Sequence, residues 1–293
     1  MADKNKDKLV VVKHNDLIKA AYRLTVLESR IILACIAQVN SKGVLSHKEN
    51  FSIRVEEIVE LLETGNSRDE MYANLKSALD RLSERWVYFI DKTDMTPVEM
   101  KTRWVSAIGY TSEDARINLY FAPHIIPFLS ELSSNFTQYK LKHVLRFKSS
   151  YSIKFYEVLK SSMNSSVVLT TTWMKETMEL GSGYDRVDNL VARVIKPAID
   201  EINKYSDLTV SYEPIKTGRK ITAFNFTFVC MEDKKVRQKP KFNNDRIDGV
   251  LKADLDKYAN PGESYSQAAT RLKAEQLMLE KIGKPTTLDI LWK

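Results

Sequence analysis

Cysteine, glycine and proline are scarce, with 2, 9 and 8 copies in 293 residues, and each shortage removes a class of protein. The two cysteines, Cys35 and Cys230, each stand among apolar neighbours and read as reduced core thiols in preference to a disulfide. Neither is spaced with a second cysteine or a histidine as metal ligands require. No glycine-rich segment matches G-x-x-x-x-G-K-[ST], and Gly181-Ser182-Gly183 lacks the following lysine, which removes nucleotide hydrolysis by a P-loop. The four histidines, His14, His47, His124 and His143, are scattered. A tyrosine-dependent DNA-nicking enzyme needs two histidines separated by one apolar residue, and no such pair occurs. No apolar run approaches the roughly 18 residues that span a bilayer, and Met1 to Lys8 is charged without a signal-peptide core. The expectation is a cytoplasmic protein without a membrane partner, not an enzyme, with no catalytic, metal or cofactor site.

What is present is positive charge. A net charge of +7 and a pI near 9.1 favour an anionic partner, and 43% hydrophobic content supplies enough apolar surface for real cores. From Tyr184 to Tyr205, Val187, Leu190, Val191, Val194, Ile195, Ala198, Ile199 and Ile202 fall on one stripe of a 3.6-residue period. Arg186, Asn189, Arg193, Lys196, Asp200 and Asn203 fall opposite, the basic residues and Asn189 toward the N-terminal end and the acid later. Arginine and asparagine read guanine and adenine edges, and lysine holds phosphates. A solvated helix face is the plainer reading of such a pattern. The following segments shift the balance: Asp207 to Tyr212 and Ile221 to Val229 alternate apolar and polar residues around a Thr217-Gly218-Arg219-Lys220 turn. That is a β-hairpin with a basic tip at Lys216, Arg219 and Lys220. A helix with a basic front followed by such a hairpin is the order of a winged helix.

Earlier in the chain the same order appears. Leu9 to Val12 is apolar, Leu17, Ile18 and Ala21 suggest a helical turn or two, and Thr25 with Glu28 forms a capping box for a helix to about Asn40. A strand over Phe51 to Arg54 and helices over Val55 to Glu63 and Arg68 to Glu84 follow. Strands are expected over Trp86 to Asp91, Lys101 to Thr111 and Arg116 to Phe121, then a short helix over Pro123 to Leu132. The second half repeats this with a helix over Ser149 to Ser162, a strand over Val167 to Thr171, a helix over Trp173 to Leu180, and the reading helix with its hairpin. Phe51 and Val167 lie about 116 residues apart, and Trp86 and Leu208 about 122. The fold class is α+β, two tandem winged-helix domains related by internal duplication, with a basic C-terminal extension. The expected divisions are 1–8, disordered; 9–135, an N-terminal winged helix for DNA binding; 136–230, the C-terminal winged helix and main reader; and 231–293, the partly disordered extension.

The Arg68 to Glu84 helix is the weaker reader, because Glu70, Asp80 and Glu84 share its outer face with Lys76 and Ser77, and Arg81 lies at the flank. Backbone contact or an interface are its two expected uses. Phe224, Phe226, Phe228, Trp86, Tyr88 and Tyr120 could stack on single strands, but their alternation in strands favours core packing. Lys234, Lys235, Arg237, Lys239, Lys241 and Arg246 sit among few apolar residues, as a solvated linker or a phosphate-binding arm. Ser264 to Ile282 has helical composition.

Four segments, Val11 to Ile18, Leu24-Thr25 with Glu28, Arg30 and Ile31, Tyr151 to Lys160, and Val194 to Asn203, resemble the iteron-binding replication initiators of theta-replicating plasmids, in that family's order. The resemblance covers about residues 9 to 230. It implies two winged-helix domains that bind directly repeated origin sites in double-stranded DNA, as a monomer for initiation and as a dimer, formed through the N-terminal domain 9–135, for autorepression. It also implies host partners, among them the initiator and the replicative helicase. Arg186, Asn189, Arg193 and Lys196 fall in the family's reading helix, and Pro197 matches its pattern. The competing expectations are a dimeric winged-helix transcriptional repressor and, more remotely, a rolling-circle nicking enzyme.

Overall fold

The computed structural model describes residues 9–54, 56, 68–91, 97–111, 116–231, 246–247, 250–251, 255 and 263–281. They belong to two units, 1–233 and 234–293, described separately below. The expected disordered start, all but Glu56 of the Val55–Glu63 helix, and the basic run 234–241 lie outside the described residues.

The first unit opens with β1 (Val10–His14) and α1 (Asn15–Lys19), then α2 (Val26–Ile36). The capping box forms at α2: the Glu28 N–H donates to Thr25 Oγ1 at 3.3 Å and the Thr25 N–H donates to Glu28 Oε2 at 2.9 Å. Residues Ile31 to Ile36 are all buried, and the α-helix stops at Ile36 rather than Asn40. Beyond Ile36 the bonds tighten to three-residue spacing: the Gln38 N–H donates to the Cys35 carbonyl and the Val39 N–H to that of Ile36, both at 3.0 Å. After β2 (Phe51–Arg54), α3 (Arg68–Ser83) buries Leu75, Ala78, Leu79 and Leu82. Next come β3 (Trp86–Asp91), β4 (Val98–Arg103), β5 (Val105–Thr111) and β6 (Arg116–Phe121). The single strand expected over Lys101 to Thr111 is therefore two. The chain bends at Trp104, whose side chain is buried, and passes from the β3-β4 hairpin into a sheet ordered β2-β6-β5.

The helix expected over Pro123 to Leu132 is only a 3-10 turn, Ile126–Phe128, with a proline in its first positions. Left-handed φ values at Glu131 (54°) and Asn135 (52°) then redirect the backbone. Immediately after the expected division at residue 135, β7 (Phe136–Lys140) pairs antiparallel with β1. Beyond a short α4 (Lys142–Leu145), α5 (Ser150–Lys160) is buried from Ser152 to Leu159. It packs against α1, α2 and the helix ending at Tyr205, and one continuous core runs through both halves.

That burial encloses charge. Lys13 Nζ lies 2.5 Å from Glu157 Oε1, with both side chains almost wholly buried. The Tyr139 hydroxyl donates to the same carboxylate, and the Tyr22 hydroxyl lies 3.5 Å from it. Burial first, and then Glu157, push the phenols of Tyr22 and Tyr139 well up. Lys154 Nζ donates to the Ala20 carbonyl at 2.7 Å, and its burial holds it well below the ordinary lysine value.

The second half continues with β8 (Ser166–Thr170) and α6 (Thr171–Thr177), capped by the Thr170 hydroxyl. α7 (Val187–Leu190), a π turn (Val191–Ile195) and α8 (Lys196–Tyr205) then form one rod, followed by β9 (Leu208–Thr217) and β10 (Lys220–Cys230). The sheet order is β8-β10-β9. In each half the first strand pairs with the third and the third with the second, the antiparallel arrangement of a winged helix. Phe224, Phe226 and Phe228 are buried as their alternation predicts, whereas Tyr88 is exposed on β3. Cys35 is a buried free thiol; burial alone raises it. Cys230 departs from its expected apolar setting, because Lys160 Nζ lies 3.2 Å from its Sγ.

In the second unit, β11 (Arg246–Ile247) and β12 (Val250–Leu251) pair, and α9 (Tyr265–Lys281) occupies the expected helical stretch. Ala268, Ala269 and Leu272 bury against Val250 and Leu255. Ser264 and Gln267 exchange capping hydrogen bonds, and Arg271 holds Glu263 with two bonds of 3.0 Å.

Candidate nucleic-acid interface

The rod is fixed by its apolar back. Leu190, Val194, Ile195, Ala198, Ile199 and Ile202 are buried, with Val187 and Val191 half-buried beside them. Burying these side chains contributes roughly 1.5–3 kcal/mol for each large one, enough to fix the rotation of the rod about its axis. Arg186, Arg193 and Lys196 are exposed. The rod is not the uninterrupted α-helix expected from Tyr184. Ser182–Tyr184 is a separate 3-10 turn, and Val191–Ile195 is a π turn in which the Lys196 N–H reaches back to the Val191 carbonyl. The turn sits directly before Pro197. A proline has no N–H to give the carbonyl four residues earlier, and a π turn is one way a helix absorbs that interruption.

The four front residues differ in how free they are. Arg193 makes no hydrogen bond or ion pair among the described residues. Arg186 lies 3.7 Å from Asp188, an exposed and weak pairing. Lys196 is tied to Asp200 at 2.6 Å, a hydrogen bond that raises the ammonium, although both groups remain exposed. Asn189 is half-buried and donates its side-chain amide to the Gly183 carbonyl at 3.0 Å, so part of it holds the preceding loop.

The hairpin tip is a two-residue turn between Thr217 and Lys220, which face each other in the ladder. Gly218 has φ +63°, and Arg219 is not among the positive-φ residues, so the turn is of the II′ kind that requires glycine first. It projects Lys216, Arg219 and Lys220 as exposed side chains.

In the first half, Lys76 and Ser77 are exposed on α3. Arg81 donates to Ser77 Oγ at 2.6 Å and to Glu28 at 3.2 Å, while Arg85 holds the same buried carboxylate with bonds of 2.9 and 3.1 Å. Burial works to raise Glu28, but Arg85, the Thr25 N–H and Arg81 outweigh it and keep the carboxyl below its ordinary value. Arg81 is thus already engaged with Glu28. Arg23, Arg85 and Lys148, which line a cleft near α2 and α5, were not singled out by periodicity because they lie in loops and at helix ends. Among the described residues no cluster of His, Cys, Asp or Glu suits a metal ion, and no helix is long and apolar enough to cross a membrane.

Comparison with known proteins agrees with this architecture. Residues 10–160 match the family described as Initiator Replication protein, WH1, and residues 170–228 match Initiator Rep protein, WH2. A replication initiation protein of Escherichia coli is 26% identical over 219 residues, covering 72% of this chain. The match spans 66% of that relative's length, just under two thirds. The PI protein of Escherichia coli is 23% identical over 289 residues, covering 87% of this chain and 91% of that protein. The crystal structure of Pi initiator protein in complex with iteron DNA is similar in fold, with a TM-score of 0.64 and 21% identity over 76% of this chain and 98% of that one. The chain belongs to the initiator replication protein family and carries both of its winged-helix domains.

Proposed function

We propose that this protein is a plasmid replication initiator that binds directly repeated origin sites in double-stranded DNA. The observation that carries the reading is the rod of the second winged helix, whose buried back leaves Arg186, Arg193 and Lys196 facing outward. Arg193 and Arg186 contact base edges, each supplying about 1–3 kcal/mol of discrimination, with Asn189 and Lys196 beside them. Lys216, Arg219 and Lys220 hold phosphates from the wing, and Lys76, Ser77 and Arg81 face the backbone from α3. Two modules one helical turn apart on a duplex imply a site of roughly 20 base pairs. A solved relative of the same fold, bound to iteron DNA, supports the duplex-binding reading.

In the same reading, a monomer binds each repeat for initiation, a dimer formed through the first winged helix represses the gene, and host replication proteins are recruited to the opened origin. Mass measurement on a duplex carrying one repeat tests the stoichiometry. A bound monomer fits an initiator, whereas an obligate dimer on an inverted repeat fits a repressor and contradicts the proposal.

A further inference from the structure

A cleft of about 590 Å³ lies where α2 and α5 begin, lined by residues that include Arg23, Thr25, Arg85, Lys148, Ser149 and Tyr151. Its lining residues connect to both DNA-contacting candidates. On one side, Ser77 on α3 bonds Arg81, Arg81 and Arg85 share Glu28, and Arg85 lines the cleft. On the other, Tyr151 neighbours Tyr184, which stands just before the rod, and Arg23 lies close to the same phenol. Glu201 of α8 binds the backbone N–H groups of Lys148 and Ser149 beneath it. Three cations, Arg23, Arg85 and Lys148, line the cleft and no carboxylate among the described residues does; of the nearby acids, Glu28 bonds Arg81 and Arg85, and Glu201 bonds the Lys148 and Ser149 N–H groups. The glutamates are spent on internal bonds, and Arg23 and Lys148 are exposed.

We propose that this cleft holds the phosphodiester backbone of the duplex segment between the two sites contacted by the winged helices, with Arg23 and Lys148 as its phosphate ligands. This rests on the duplex-binding function proposed above. A cationic surface joining two DNA-contacting elements fixes their register on the duplex while carrying no sequence information itself. It makes the two modules act as one long site.

The test uses the full chain and a duplex selected by the wild-type protein from a random 30-base-pair pool, with single methylphosphonates placed along it. Neutralising central phosphates is expected to weaken wild-type binding but to leave an Arg23→Ala/Lys148→Ala protein unaffected at those positions. Phosphates at the ends of the site should stay important to both. The slope of log affinity against log salt should shrink by about 2, with base preferences unchanged. A double variant that keeps the central sensitivity overturns the proposal. So does saturable ATP binding lost in that variant with duplex affinity intact, which would make the cleft a nucleotide site. Failure to select any preferred duplex would instead defeat the underlying function, so the two outcomes are distinct.

Discussion

The Ser152 hydroxyl donates a 2.6 Å hydrogen bond to the Glu201 carboxylate, which also accepts from the Lys148 and Ser149 N–H groups. The rod thereby ties down the chain entering α5, the helix shared by both halves, while the Ser149 hydroxyl caps that helix by accepting from the Tyr151 N–H. Glu201→Ala is expected to destabilise the first unit by about 1–3 kcal/mol, a fall of a few degrees in Tm. Thermal unfolding followed by circular dichroism measures it, and an unchanged Tm would show that water replaces the carboxylate without loss.

The buried Lys13–Glu157 pair should behave asymmetrically. Lys13→Met leaves the carboxylate in the core without its cation and should cost roughly 3–5 kcal/mol. Adding Glu157→Gln should recover part of that loss, since it removes the unpaired charge while the amide oxygen still accepts from the Tyr139 hydroxyl and the amide NH2 can donate to the Tyr22 oxygen. Urea titrations of the single and double variants give the coupling, and strictly additive losses would contradict it.

Acid stability should depend on Asp207. Burial works to raise its carboxyl, but Lys160, His143 and the Tyr156 hydroxyl outweigh this and hold it below the ordinary value. A depressed carboxyl contributes stability that is complete above the ordinary aspartate range, near pH 4, and is lost as pH falls through the lower folded value. Lys160 works at the other limit: burial opposes its charge, yet Asp207 raises it overall, so its contribution is lost as pH rises above the ordinary lysine range. Asp207→Asn should flatten both limbs of a plot of urea midpoint against pH. An acid limb as steep as the wild type's would exclude Asp207 as its source.

Much of this architecture is legible in the residues. The capping box at Thr25 and Glu28, the alternation of Phe224, Phe226 and Phe228, and the apolar stripe of the rod are local patterns, and local patterns survive in the fold. What escaped depends on partners far away in the chain. The pairing of β7 with β1 joins residues about 126 positions apart, and the break at Trp104 is set by which sheet each side joins. The engagement of Arg81 and Arg85 by Glu28 rests on contacts 53 and 57 residues apart, so the helical period could place Arg81 on the flank without revealing its partner. The π turn before Pro197 likewise reflects competition between a missing N–H and a buried stripe on both sides of it.

The wing should act through charge alone. Arg219→Ala or Lys220→Ala should lower the salt slope of duplex binding by about 1 each while leaving the order of preferred sequences unchanged. Gly218→Ala, strained at φ +63°, should cost about 1 kcal/mol of stability. A wing variant that relaxes base preference would mean the tip reads bases rather than phosphates.

The most direct measurement is the affinity of Arg193→Ala for the duplex preferred by the wild-type protein, against the same duplex with each base pair substituted. The expected result is a loss of about 1–3 kcal/mol together with indifference to the identity of one base pair. Wild-type affinity and an unaltered base profile in that variant would contradict the assignment of the rod as the reader.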